Sequence, residues 1–278
     1  MALIKPEIFA DVVREKINGK VRVLNLATEL ENLSDFAVEG ETVRFTRWAY
    51  IGEASELVKG NAIPTSELDQ VDDTASIKHM AKGVEVYDRD VYTVNGGQRM
   101  VNEASDQLAV SIARTLDADL ITEMKTNALL TYSSVAGAKA LTQDELLGAL
   151  NLFGDDQDRE DFAGIVINSA LINSFYAMPL FVDVTKTTSA NGNGIITGGL
   201  LGYFTGIPVF VSDKGTIDGL NATTFIIKKG ALGYKLKAKG VDIEEERVAS
   251  KKKTDIFADC MYAVKLTDDA GVCVIEKA

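Results

Sequence analysis

The chain of 278 residues contains one histidine, His79, and two cysteines, Cys260 and Cys273, so any site built on imidazole or thiolate must use these three. A hydrolytic triad needs a nucleophile and a carboxylate oriented about the imidazole. Ser76 and Asp88 are near His79 only in sequence, and a strand histidine with one face exposed is the simpler reading. A metal site would have to gather His79, Cys260 and Cys273 without any paired spacing such as C-x-x-C or H-x-x-x-H. Five acids, Asp155, Asp156, Asp158, Glu160 and Asp161, crowd the stretch "DDQDRED". A calcium loop needs glycine at its sixth position and glutamate at its twelfth, and "DDQDREDFAGIV" has neither, so a solvated charged turn is expected. Lys251, Lys252 and Lys253 beside "EEER" read as a solvated strand end, not a phosphate site. No catalytic, cofactor-binding or metal-ligating residue is assigned, no cofactor is expected, and the chain is expected not to be an enzyme.

One further stretch could do chemistry. "GNGIITGGLLGYFTGIPVFVSD", from Gly192 to Asp213, carries six glycines inside a run without charge over 187–212. A dinucleotide loop needs G-x-G-x-x-G, but Thr197 stands where the third glycine belongs. A phosphate loop needs Lys and then Ser or Thr after its last glycine, and Gly206 is followed by Ile207 and Pro208. Gly194, Gly198, Gly202 and Gly206 repeat at the spacing that lets membrane helices pack closely. Glycine and threonine dilute the hydrophobicity, however, and Pro208 would interrupt the span. "IPVFVS" is rich in β-branched and aromatic residues, so the reading is strand, glycine-rich turn, strand.

The elements that would position these residues follow from periodicity. "TVRFTRW" over 42–48 alternates as a half-buried strand does, and so do Val84 and Val86 with Glu85 and Tyr87 in "SIKHMAKGVEVYD". These two strands are expected to bracket a polar excursion over 52–75, too long and too weakly periodic to close a core of its own. No glycine or proline occurs over 98–136, and Val101, Ala104, Leu108, Ile112, Leu116, Leu120 and Met124 recur every three or four residues. That predicts a helix of roughly 30 residues, about 45 Å long. Thr142 with Glu145 forms a capping box for a second helix through Leu146, Leu147 and Leu150, ended at Gly154. "FAGIVINS" reads as a buried strand, Ser169 as the cap of a short helix ended by Pro179, and the rest as mostly short strands.

Composition bounds the function. Hydrophobic residues at 46% and charged residues at 25% are those of a folded globular chain. A net charge of −12 has the wrong sign for tight non-specific binding of nucleic acid. The N-terminal "MALIKPEIFADVVREKINGK" has no apolar segment before a small-residue cleavage site, and two cysteines make no disulfide framework, so a reducing compartment is expected.

"PEIFADVVREKI", "GETVRFTRWAYIGEASELVKGNAI", "SIKHMAKGVEVYDRDV", "EASDQLAVSIARTLDADLI" and "GYFTGIPVFVSD" occur here in an order and spacing that resemble tailed-phage major capsid proteins of the Hong Kong-97-like fold. The resemblance covers nearly the whole chain. It implies an α+β fold with an N-terminal arm (1–36), an extended β-hairpin loop (37–92), a peripheral domain with a long spine helix (93–139), an axial domain (140–240) and return strands of the peripheral domain (241–278). The glycine-rich stretch would then sit in the axial domain. The implied function is self-assembly into hexamers and pentamers of an icosahedral shell that encloses the DNA genome, as a virion capsid assembled in the host bacterial cytoplasm. Implied partners are further copies of the chain, a portal, decoration proteins and, since only about 40 residues precede the first loop strand, either a separate scaffolding protein or none. DNA would be packaged without tight specific binding, and no membrane is involved. Intersubunit contacts are expected from Leu57, Val58, Lys59, Ile63 and Leu68 on the loop. Some family shells cross-link a loop lysine to a neighbour's asparagine; Lys59 is the lysine placed for it, but without an identifiable asparagine and glutamate partner, uncross-linked shells are expected. Two other readings stay open: an encapsulin-like bacterial nanocompartment shell, and a Gly-loop ligand-binding enzyme.

Overall fold

The computed structural model describes residues 21–30, 42–54, 56, 62–63, 65–93, 97–183 and 199–277. Along the chain, β1 (Thr28–Glu29), β2 (Thr42–Trp48), β3 (Gln70–Ser76) and β4 (Lys78–Tyr87) precede two helices, α1 (Asp88–Thr93) and α2 (Gly97–Asn127). β5 (Leu130–Ser134), α3 (Gln143–Asn151), β6 (Phe162–Ile167), α4 (Ile172–Tyr176) and β7 (Phe181–Asp183) follow. The remainder is mostly strand: β8 (Leu200–Phe204), β9 (Ile207–Val211), β10 (Ile217–Asp218), β11 (Asn221–Ala222), β12 (Thr224–Lys228), β13 (Leu232–Val248), β14 (Lys253–Leu266) and β15 (Val272–Lys277).

The expected long helix forms over 31 residues. Ala104, Leu108, Ile112, Leu116, Leu120 and Met124 are all buried, as their three- and four-residue spacing requires of one face. That face packs against a sheet ordered β1-β13-β14-β4, where Ile256, Ala258, Cys260, Tyr262 and Val264 of β14 point inward at every second position. The opposite face of β14 presents Ala263 to Phe45 of β2.

A second sheet, ordered β5-β15-β12-β6-β9-β8-β7, is covered on both faces. Phe225, Ile227, Val166, Val272 and Val274 face the α2 core, while Ile226, Ile165, Ile167, Cys273 and Ile275 face a core closed by Leu146, Ala149 and Leu150 of α3. Burial on both faces is why "FII" and "VCVI" read as unbroken apolar runs. The capping box of α3 is formed as expected. Glu145 does more than cap: its carboxylate accepts from Ser134 Oγ at 2.8 Å and from the amides of Val135 and Ala136 at 2.8 and 2.9 Å, tying the end of β5 to α3.

β8 and β9 form a hairpin whose two-residue turn, Thr205 and Gly206, has both φ positive (48° and 94°), the arrangement that matches strand twist. Strand, glycine turn, strand is therefore correct for this part of the glycine-rich stretch, and Gly192, Gly194 and Gly198 lie outside the described residues. Among the described residues no helix is long and apolar enough to cross a membrane.

Several expectations are corrected. β2 does not bracket a loop with β4; it pairs antiparallel with β3 in a register from Thr42 opposite Ser76 to Trp48 opposite Gln70, and β4 pairs with β14. The excursion therefore ends at residue 69, because "QVDDTAS" is strand despite its two aspartates. Asn168, not Ser169, caps the turn before α4, accepting from the Ala170 amide at 2.9 Å. β13 is continuous across 240–241, and β15 is hydrogen-bonded between β12 and β5.

Candidate assembly surface

Residues 21–26 are wound against α2, with Val21, Val23, Leu24 and Leu26 buried in its core. This segment and β1 flank the root of the β2–β3 hairpin: the Leu30 amide donates to the Tyr234 carbonyl at 3.0 Å, and the Leu30 side chain packs on Val43 and Phe45. Phe45 is fully buried, and the Lys235 ammonium sits 5.4 Å from the centre of its ring. Past Phe45 the hairpin leaves the body. Ala49 continues the pairing by donating to the Asp69 carbonyl at 2.9 Å. Trp48 and Tyr50 are 62% and 81% exposed, and Ile51, Ile63 and Leu68 are exposed with them.

Such a set of large apolar side chains left exposed on one hairpin is unusual in a self-sufficient surface. Of the loop residues expected from sequence, Ile63 and Leu68 lie on this exposed segment, whereas Leu57, Val58 and Lys59 lie outside the described residues. Trp48, Tyr50 and Ile51 were missed as contact candidates. Their signal was the run "WAYI" directly before Gly52, which breaks the alternation of β2.

The chemistry-bearing residues do not converge. His79 Nε2 lies 2.9 Å from Asp259 Oδ2 on an exposed sheet face, while Asp88 is held bidentately by Arg247 at 2.8 and 2.5 Å. Ser76 ends β3 and His79 is near the start of β4, so Asp88, just past the other end of β4, stands about 30 Å from His79 along the strand. Cys260 faces the α2 core and Cys273 the α3 core, on opposite faces of different sheets. Among the described residues no three His, Cys, Asp or Glu side chains are grouped to hold a metal ion. The acids of 155–161 are exposed, with Asp156 paired to Lys228 at 2.8 Å, so a solvated turn is what forms.

The lysine triplet departs from expectation. Lys251 and Lys252 are exposed, but Lys253 is buried between Asp255 at 2.8 Å and Glu85 at 2.6 Å. Hydrogen bonds to Asp255 and Glu85 raise its pKa above the ordinary lysine value. It locks β14 to β4 at the end of the sheet where β4 runs into α1.

The family described as "Phage capsid protein" matches residues 71–275. The chain belongs to the phage capsid protein family. Among curated relatives, the major capsid protein of Staphylococcus phage phiMR11 is 28% identical over 276 residues, covering 98% of this chain and 93% of that protein. Solved structures share the fold of this capsid protein at low identity. A chain from Mycobacterium phage Che8 superposes with a TM-score of 0.63 at 17% identity, over 91% of this chain and 89% of that one. One from the head structure of Helicobacter pylori bacteriophage KHP40 gives 0.65 at 12% identity, over 93% and 90%. The mixed helix and sheet architecture is thus the Hong Kong-97-like capsid fold.

Proposed function

We propose that this capsid protein is the main building block of a tailed-phage head, joining copies of itself into hexamers and pentamers of an icosahedral shell around packaged DNA, in the host cytoplasm. The observation that carries the reading is the β2–β3 hairpin, anchored at Phe45 and bearing uncovered Trp48, Tyr50, Ile51, Ile63 and Leu68 beyond its root. A neighbouring copy covers them, and their burial supplies roughly 1.5–3 kcal/mol for each side chain fully removed from water. The −12 charge keeps the shell from gripping DNA everywhere. The chain acts by shape and not by catalysis; scaffolding, portal and decoration proteins are its further partners. The four-stranded sheet with α2 serves as the peripheral part and the seven-stranded sheet as the axial part.

The register of Trp48 opposite Gln70 defines the test. Residues 49–69 are replaced by an Asn-Gly turn, and the shortened chain is compared with the full one by circular dichroism, light scattering and negative-stain microscopy. Hollow particles from the full chain, and a folded but unassembled shortened chain, are expected. Normal particles from the shortened chain would overturn the role of the hairpin.

A further inference from the structure

At the C-terminal ends of the parallel strands β6 and β9 a concavity of about 390 Å³ opens between α2 and residues 212–214, lined by Arg22, Val110, Arg114, Asp117, Ser212, Asp213 and Lys214. Its two carboxylates are already engaged by main-chain donors. Asp117 accepts from the amides of Arg22, Val23 and Leu24, and Asp213 accepts from the Ser169 amide at 2.8 Å. The Arg22 guanidinium reaches the Val211 carbonyl and lies within electrostatic reach of the Asp117 carboxylate. Arg114 and Lys214 are exposed and form no ion pair among the described residues. Three cations therefore converge on one hollow in a chain of net charge −12.

The opposite end of the same strand carries the complementary charge. Residues 155–161 run into Phe162, the first residue of β6, with Asp155, Asp156, Asp158, Glu160 and Asp161 all exposed. β6 has six residues, so about 20 Å separates the acidic turn from the cationic pocket. Two unlike patches at opposite ends of one rigid sheet let each copy offer one patch to each of two neighbours. They fit a head-to-tail contact, which closes into a ring.

We infer that the acidic turn 155–161 of one copy enters the Arg22, Arg114 and Lys214 pocket of the next copy around a capsomer. The proposal rests on the shell-forming reading above. A hollow of about 390 Å³ with the two exposed cations Arg114 and Lys214 matches a compact carboxylate-bearing turn, whereas a nucleic-acid strand needs a longer basic track. With every copy strongly acidic, local pairs of this kind set the orientation of approach while general repulsion disfavours others.

The full-length chain is assembled in parallel as wild type, Arg114→Glu with Lys214→Glu, Asp155→Lys with Asp158→Lys, and all four together. Wild-type shells, loss of shells in each pair with the helical circular dichroism signal retained, and recovery of shells in the four-fold variant are expected. A separate Asp158→Cys, Lys214→Cys chain should give covalent multimers on oxidation of its particles. The proposal is overturned if either charge-reversed pair assembles normally, if the four-fold variant does not recover, or if oxidation gives only monomers. It is equally overturned if Arg114→Glu with Lys214→Glu loses binding to a labelled DNA duplex while the acidic-turn pair still assembles, since the pocket would then serve phosphate. A wild-type chain that forms no shells would remove the shell reading itself and this contact with it.

Discussion

The carboxylate of Asp117, in the middle of α2, accepts the backbone N–H of Val23 at 3.1 Å across 94 residues of sequence. The same side chain takes the amides of Arg22 at 3.0 Å and Leu24 at 3.2 Å. One buried acid thus supplies three acceptor contacts to a tight 3-10 turn that has no side-chain cap of its own.

Asp117→Ala strands those amides. A buried donor left without a partner costs about 1–3 kcal/mol, so the variant should unfold at lower denaturant by an amount in that range or above it. Hydrogen exchange is the direct check: amides of residues 22–24 should lose protection while those of β12 and β15 keep theirs. Unchanged protection at 22–24 would refute the assignment.

Glu145 predicts an acid-dependent stability. Burial alone would raise its carboxyl, but the Thr142 and Ala136 amides and the Ser134 and Thr142 hydroxyls outweigh burial and bring it down to about 2 from an ordinary 4.5. Because the folded-state value is depressed, the contribution is fully present above about 4.5 and is lost as pH falls toward 2. Glu145→Gln should cost about 1–3 kcal/mol at neutral pH. The gap between wild type and variant, followed by urea unfolding, should close across that acidic window.

Gly202 lies where β8 meets β7. A Cβ built there would stand 2.4 Å from the Val182 carbonyl oxygen and 2.5 Å from the Phe181 ring. The oxygen belongs to the backbone and cannot swing aside, so Gly202→Ala should destabilise by roughly 1–3 kcal/mol. Gly154→Ala, with open space but φ of 63°, should cost about 1 kcal/mol through backbone strain alone. Thermal unfolding of the two variants side by side tests the ranking.

The two thiols should be inert in the native chain. Burial, helped by Asp259 and Asp242, pushes Cys260 up to about 11, and burial pushes Cys273 up to about 12. Both remain protonated at pH 8, and the thiolate is the reactive form. A maleimide should label neither residue until denaturant is added; rapid labelling of the folded chain would contradict the packing.

Much of this was legible in the order of residues. The spacing of Leu108, Ile112, Leu116 and Leu120 determined a helix and its buried face, because helical periodicity is a property of neighbours three and four apart. Thr142 with Glu145 announced the start of α3, since a capping box is closed within four residues. The acidic turn was visible as concentrated charge. Tertiary structure decided what depends on distant partners. "QVDDTAS" is a strand because the edge of β2 offers it hydrogen bonds, with Arg44 facing Asp72 at 3.6 Å; its own propensities do not make it one. Lys253 is buried where Lys251 and Lys252 are not, because Glu85 comes from β4 across the sheet and compensates its charge. Arg22, Arg114 and Lys214 share a hollow only through the docking of residues 21–26 on α2 and the ends of β6 and β9 beside it. Local periodicity is written in adjacent residues, whereas strand pairing and charge compensation are set by contacts between segments that the chain brings together only by folding.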